Sequence, residues 1–206
     1  GEVVGFQMLL RGNSSARVAV ELSEPKWRVD LYEARYVSSQ GRMIPDPLLS
    51  LPESVSLKPN EDAVVVADVF VPFDARAGVR AGRITISDGR SVPIEINVLR
   101  YAIPKQATFF CEMNGYGLPD HVNEYDAVQR VAYDHRVHAN ILHYSHNTAA
   151  AGARKSNLDM RLRSGRRMDN KRYDSVVPGV TTAFWDDFVE AFGPHLDGSL
   201  FADGHR

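Results

Sequence analysis

The sequence predicts a β-sandwich followed by an incomplete α/β segment, the opening βα units of a (β/α)8 barrel. Up to about residue 104, short stretches of alternating apolar and polar residues are separated by turn residues, and no helix-length window interrupts them. After Pro104 the pattern changes to strand, helix, strand, long loop and helix, which is the order of a parallel sheet. A length of 206 residues and a hydrophobic content of 44% suffice for two packed bodies.

The first part reads as short antiparallel strands. From Trp27 onward, apolar residues alternate with Arg28 and Asp30, as in a strand with one face in solvent. Asn13–Ser15 and Asp88-Gly89 are predicted hairpin-type turns, and for Asp88-Gly89 we expect type I′, which needs two positive φ angles. The predicted strands are Val3–Leu10, Ala16–Leu22, Trp27–Tyr36, Ala63–Val71, Gly82–Ser87 and Val92–Leu99.

The segment Ser38–Lys58 shows no strand periodicity and contains Pro45, Pro47 and Pro52. We expect it to form a long surface loop across one end of the sheets. About a hundred residues of this kind are typical of a β-sandwich. The predicted domains are therefore a sandwich over residues 1–104 and a partial barrel segment over residues 105–206.

The second part alternates strands and helices. A complete barrel needs about 250 residues, so this part supplies only its opening units and leaves strand edges open. Gly193-Pro194 is expected to end the last helix. The predicted elements are strand Thr108–Met113, helix Glu124–His135, strand Asn140–Tyr144, helix Thr182–Phe192 and a further strand in Leu196–Phe201.

Several phrases resemble a known family. They are GEVVGFQMLLR (1–11), VVADVFVPFDARAGVRAGRITI (65–86) and VPIEINVLRYAIP (92–104), with YDHRVHAN (133–140) and LDGSLF (196–201) in the second part. Together they resemble the sandwich and the barrel opening of bacterial family-123-like glycoside hydrolases. The resemblance implies an N-terminal sandwich beside a catalytic barrel, and a periplasmic or secreted protein that acts on carbohydrate.

The same resemblance implies a reaction. Family members hydrolyse hexosaminide linkages with the 2-acetamido oxygen of the substrate as nucleophile, and adjacent Asp and Glu residues at a mid-barrel strand end assist. In this sequence the only adjacent Asp and Glu are Glu61-Asp62, which fall in a turn of the sandwich. The catalytic pair is therefore not in this chain, and we expect the chain alone to be inactive.

Substrate-binding candidates follow from the barrel architecture, because functional side chains lie at the carboxyl ends of strands and in the loops behind them. These positions are Glu112, Asn114, Tyr144 and His146. Carboxylate, amide and imidazole groups hydrogen-bond sugar hydroxyls, and a Tyr ring packs on the apolar face of a sugar. The alternative is that Glu112 and His146 are polar caps at a barrel rim, satisfied by neighbouring loops.

No metal or cofactor site is predicted. The seven His include two pairs spaced three apart, His135/His138 and His143/His146, but no third ligand follows at a diagnostic interval. His135 and Arg136 instead close the first helix, where cations favour the helix dipole. The single Cys111 lies in an apolar run and is expected to be a buried hydrophobic residue.

Charge is uneven along the chain. Arg154–Arg172 carries eight basic and two acidic residues in a chain of net charge −2. We interpret it as a solvated or poorly ordered loop, with binding of an anionic glycan as the alternative. Asp186-Asp187 is interpreted as part of a solvated helix face. Neither nucleic acid nor a membrane is an expected partner.

Two functions therefore compete. The first is a segment of a glycoside-hydrolase-like protein that acts on glycosidic bonds, with N-acetylhexosaminides as the implied substrates. The second is a noncatalytic glycan-binding or assembly protein. In the first case a downstream barrel covers the open strand edges, and in the second a homo-oligomer does.

Overall fold

The computed structural model describes residues 1–109, 111–113, 121–139, 161–166, 182–202 and 204. By its internal contacts the chain divides into two compact units, Gly1–Ile103 and Pro104–Arg206. The described residues form mostly antiparallel sheet, together with two helices.

The first unit is sandwich-like, with two larger antiparallel sheets and one short one. One has the strand order β1-β7-β4-β5 and the other β3-β8-β9, while β2 pairs with β6 in a short two-stranded sheet. The strands are β1 (Glu2–Leu10), β2 (Ser15–Ala16), β3 (Val18–Leu22), β4 (Arg28–Ser39), β5 (Arg42–Ser50), β6 (Val55–Ser56), β7 (Ala63–Val71), β8 (Gly78–Ile86) and β9 (Ser91–Val98).

Alternation along each strand supplies the sandwich core. In β1, Met8 and Leu10 are buried whereas Leu9 between them is 65% exposed, as the two-residue period of a strand requires. Both sheets and the short β2–β6 pair contribute to one apolar cluster. Its buried members are Met8, Leu10, Ala16, Val18, Val55, Leu57, Val65, Ala67 and Ile84.

The prediction of a long loop over Ser38–Lys58 is wrong for most of that segment. The chain turns at Gln40-Gly41, both with positive φ (49° and 75°), and returns as β5 antiparallel to β4. A Gln at the first turn position is not one of the usual signals for this tight turn, and the prolines conceal the strand. β5 tolerates prolines because it lies at the edge of its sheet.

Two predicted turns also differ from expectation. Asn13–Ser15 is no hairpin, because β1 and β3 belong to different sheets and the chain crosses between them. Asp88-Gly89 does lie in the β8–β9 hairpin, but Gly89 alone has positive φ, at 91°. The Gly89 amide donates to the carbonyl of Ile86 (2.9 Å), and the Ile86 amide donates to that of Arg90 (2.9 Å). This is a three-residue loop with glycine in the left-handed position.

The second unit contains a parallel strand–helix–strand arrangement. Strand β10 (Glu112–Met113) pairs in parallel with β11 (His138–Ala139), and helix α1 (Val122–Asp134) connects them. The predicted strand Asn140–Tyr144 lies outside the described residues. The (β/α)8 barrel itself stays a prediction, since the described pairing covers only these two strands and a single bridge between His121 and Arg161.

Helix α1 ends in a left-handed turn at Arg136, whose φ is 63°. The amide of Val137 donates to the Ala132 carbonyl and that of Arg136 to the Tyr133 carbonyl, both at 2.9 Å, which is a Schellman motif. Glycine usually occupies this position, but the Arg136 guanidinium donates to the carbonyls of Pro104 and Lys105 (3.0 Å to Lys105). These bonds offset the backbone cost.

Helix α2 (Thr182–Asp197) is longer than predicted, since it runs through Gly193-Pro194. Leu196 and Asp197 belong to this helix and turns follow them, so the expected strand in Leu196–Phe201 is wrong. The expected burial of Cys111 is also wrong, because this residue is exposed. No helix in the described part of the chain is long and apolar enough to cross a bilayer.

Candidate functional site

The predicted substrate-binding residues are only partly placed. Glu112 lies in β10, where its register partner on β11 is His138. Asn114, Tyr144 and His146 lie outside the described residues, as does the side chain of Glu112. The set of four therefore stays a prediction. The structure does show the hydrogen bonds and ion pairs that hold α1 and α2 in place.

A buried hydrogen-bond network joins helix α1 to the last residue of β11, Ala139. The side-chain oxygen of Gln129, a residue only 1% exposed, accepts from the Ala139 amide at 3.0 Å. The Tyr125 hydroxyl donates to the Ala139 carbonyl at 3.1 Å. Burial, with the nearby Tyr133 and Asp126 charges, raises the pKa of Tyr125, so its hydroxyl stays a donor. The helix is thereby fixed against the strand.

Asp126 is the centre of a second polar cluster, between the two helices. Its Oδ1 lies 2.8 Å from Nε2 of His195 on α2, and its Oδ2 accepts from the Arg163 guanidinium at 2.6 Å. Burial on its own would raise the pKa of Asp126, but the bonds from His195 and Arg163 outweigh it and the pKa is lowered. The carboxylate is therefore ionised and links three segments.

The geometry of this cluster supports a structural role. An Asp–His pair also occurs in catalytic sites, where the carboxylate orients an imidazole whose other nitrogen reaches the substrate. Here the His195 side chain is only 2% exposed and its ring packs against Tyr125, with 5.2 Å between ring centroids. Its Nδ1 is buried and has no hydrogen-bond partner among the described residues. This nitrogen is enclosed by the protein rather than open to solvent.

Arg163 explains why α2 continues past Pro194. Proline has no amide hydrogen, so the carbonyl of Glu190, four residues earlier, loses its helical donor. The Arg163 guanidinium donates to that carbonyl and to the Ala191 carbonyl, at 3.0 Å for the latter. Gly193 helps as well, because it has no Cβ to clash with the following proline ring.

The same basic segment forms further ion pairs with α2. Arg166 lies 2.6 Å from Asp187 and 3.6 Å from Glu190. The Ser164 amide donates to Glu190 at 2.9 Å, and this bond, with the Arg166 charge, lowers the pKa of Glu190. Leu162 between these groups is fully buried. Of residues 161–166 only Leu162 is buried and the other five are exposed, so these residues are solvated as interpreted, although Arg163 and Arg166 are bound to other segments of the unit.

The interpretation of Asp186-Asp187 as a solvated pair is half wrong. Asp186 is exposed, but Asp187 is only 4% exposed and is paired with Arg166. Sequence reasoning also missed His195, although it follows the buried Phe192 by three residues and thus shares its helix face. Ending the helix at Gly193-Pro194 hid that signal. Within the described residues, no group of three or more His, Cys, Asp or Glu is arranged to hold a metal ion.

Comparison with known proteins finds distant likeness to solved structures. No family model matches the chain, and no curated protein matches it. Among solved structures, it is similar to a family 123 glycoside hydrolase from Clostridium perfringens, reported for glycolipid glycan hydrolysis, with 13% identity and a TM-score of 0.44. The match covers 65% of this chain and 27% of that enzyme, so it does not bear on activity.

Proposed function

We propose that the chain is the sandwich and the opening α/β part of a glycoside-hydrolase-like protein whose longer form cleaves N-acetylhexosaminide bonds. One observation carries the proposal. A sandwich-like antiparallel unit is followed along the chain by a parallel strand–helix–strand unit, the order that the family resemblance implies. The sequence phrases that carry the resemblance lie in both units.

The substrate contacts are proposed at the carboxyl edge of the parallel strands. Glu112 stands on β10, Asn114 follows it, and Tyr144 and His146 come after β11. The carboxyl ends of neighbouring parallel strands meet at one edge, where barrel enzymes bind their substrates. The catalytic carboxylates lie beyond this chain. The chain alone is therefore expected to be inactive.

A pair of hydrolysis assays tests the proposal. The chain and the longest natural polypeptide that contains it are incubated with 4-nitrophenyl N-acetyl-β-galactosaminide and the matching glucosaminide. We expect product from the longer protein only. In that protein Glu112→Gln should lower kcat/KM by about tenfold or more. Glu124→Gln is the matched control, because Glu124 is exposed on α1 and should have no effect.

Two results would overturn the proposal. One is turnover by the 206-residue chain itself. The other is a folded longer protein that hydrolyses neither hexosaminide.

The second candidate function, a noncatalytic glycan-binding or assembly protein, is favoured by strand β5. All nine of its residues are exposed, including the apolar side chains of Met43, Ile44, Leu48 and Leu49. Such a surface is suited to contacts with another protein. Light scattering on the purified chain distinguishes the two candidates, because an assembly protein gives a discrete oligomer.

A further inference from the structure

A cleft of about 620 Å³ opens in the sandwich unit. The β4–β5 hairpin forms one side, and residues of β6 and of the segment between β6 and β7 form the other. Its volume lies within the range of small-molecule sites, about 300 to 1,000 Å³. None of the lining residues lies in a sequence pattern that predicts ligand binding.

Two local backbone features shape the cleft. Opposite Arg35 of β4, the edge strand β5 has two residues, Asp46 and Pro47, which is a β-bulge. On the other side, the Glu61 amide donates to the Lys58 carbonyl at 3.2 Å, and Asn60 between them has a φ of 62°. With Pro59 at its second position, this is a type II turn. Arg35 opposite the bulge and Lys58 and Glu61 of the turn all line the cleft.

Three acidic and two basic residues line the cleft, and Arg11 outside the lining balances the third carboxylate. Glu33 pairs with Arg35 at 3.2 Å, and Lys58 pairs with Glu61 at 3.4 Å. Asp62 receives two hydrogen bonds from the Arg11 guanidinium. An ionic ligand of either sign would therefore have to compete with an existing partner.

Hydroxyl groups, in contrast, both donate and accept hydrogen bonds. They can donate to the carboxylate lone pairs that these ion pairs leave over, and accept from Lys58 and Arg35. The cleft thus offers paired donors and acceptors without net charge.

Apolar surface lies beside these polar groups. Tyr36 is 40% exposed and Met43 is 61% exposed, and both line the cleft. Met43 is the register partner of Ser38, so it shares a face with Tyr36 two residues before. An aromatic ring next to paired donors and acceptors suits a ligand with one apolar face and a rim of hydroxyls.

We propose that this cleft binds a neutral sugar unit, with Tyr36 packed against the sugar ring and Lys58 bound to its hydroxyls. The choice of an N-acetylhexosamine as the probe rests on the proposed function, whereas the cleft and its charge balance do not. The site would hold a glycan on the sandwich itself.

Titration calorimetry with N,N′-diacetylchitobiose tests the proposal on the purified chain. We expect saturable binding with a Kd on the order of 1 mM or tighter. Tyr36→Ala should weaken it by at least about fivefold, from the loss of one aromatic contact. Tyr101→Ala is the matched control, because Tyr101 is 81% exposed and does not line the cleft.

Lys58→Met gives an independent readout, since Lys58 is exposed and its replacement should leave the fold intact. We expect it to weaken binding too, and circular dichroism confirms that each variant is folded. The proposal is overturned by absent binding up to about 20 mM sugar, by affinity unchanged in both variants, or by tighter binding of glucuronate than of neutral sugars. Binding by the chain without hydrolysis by the longer protein would refute only the proposed function.

Discussion

The two units bury different kinds of side chain. The described core of the sandwich unit is apolar. Ion pairs of this unit, such as Lys58–Glu61, lie at its surface. In the second unit Gln129, Asp187 and His195 are buried among the helices and the strand pair. An apolar core needs only alternation, whereas a polar interior needs each group to meet a specific partner. We therefore expect the sandwich to tolerate substitutions better than the second unit does.

Removing sandwich core volume should have the largest effect. Leu10→Ala removes a side chain that is 5% exposed and leaves a cavity, so we expect a loss of about 3 kcal/mol in the free energy of unfolding. Leu9→Ala, one residue away on the opposite face, is the control and should cost less than about 0.5 kcal/mol. Urea denaturation followed by circular dichroism measures both. Equal losses would contradict the assigned core face.

Asp126→Ala should have the next largest effect on the free energy of unfolding, and this effect should be confined to the second unit. It leaves the buried His195 and the exposed Arg163 without their shared carboxylate, so we expect a loss of about 2 kcal/mol in the free energy of unfolding. Asp186→Ala removes an exposed carboxylate of α2 and should be nearly neutral. The helical signal at 222 nm reports this unit during denaturation. A neutral Asp126→Ala would show that the cluster does not stabilise the helices.

Arg163→Met tests the carbonyl that Pro194 leaves without a donor. We expect the last turn of α2 to fray, at a cost of about 1 kcal/mol. Hydrogen exchange at the amides of Leu196 and Asp197 should accelerate, while exchange in α1 changes less. Arg161→Met is the control, because Arg161 serves α1 through its backbone carbonyl. Unchanged exchange at Leu196 would show that water satisfies the carbonyl instead.

The smallest expected effect is the pH dependence of the free energy of unfolding of the second unit. The pKa of Asp126 is lower in the folded chain, so the native state binds fewer protons than the unfolded chain. Its contribution is complete above the unfolded value of about 3.9 and is lost as the pH falls through the folded pKa. Denaturation between about pH 5 and pH 3 should show this slope. Asp126→Asn should reduce the slope of the free energy of unfolding against pH. An unchanged slope would show that other carboxylates cause the pH dependence.

Much of the sandwich could be predicted from the sequence, because alternation alone locates strands such as Ala63–Val71, which the structure reproduces without change. The β4–β5 hairpin could not, because its strand contains two prolines and its turn begins with Gln40. Edge position makes those prolines acceptable, and edge position is a property of the whole sheet.

The candidate sites depend even more on tertiary structure. Helix spacing predicted α1 to within two residues at its start, but not that Asp126 faces a histidine 69 residues later in the chain. The end of α2 was wrong because a distant guanidinium replaces the missing proline amide. The sugar cleft combines β4, β5 and a type II turn, and no single segment carries its pattern.

The prolines on outer strands limit how this protein can associate. Pro45 and Pro47 lie on β5 and Pro93 on β9, each at the margin of a sheet. A strand with gaps in its row of amide donors is a poor template for β-augmentation, even with exposed apolar side chains. Polymerisation through these two margins is thereby discouraged. Any partner recruited there must recognise side chains rather than extend the sheet.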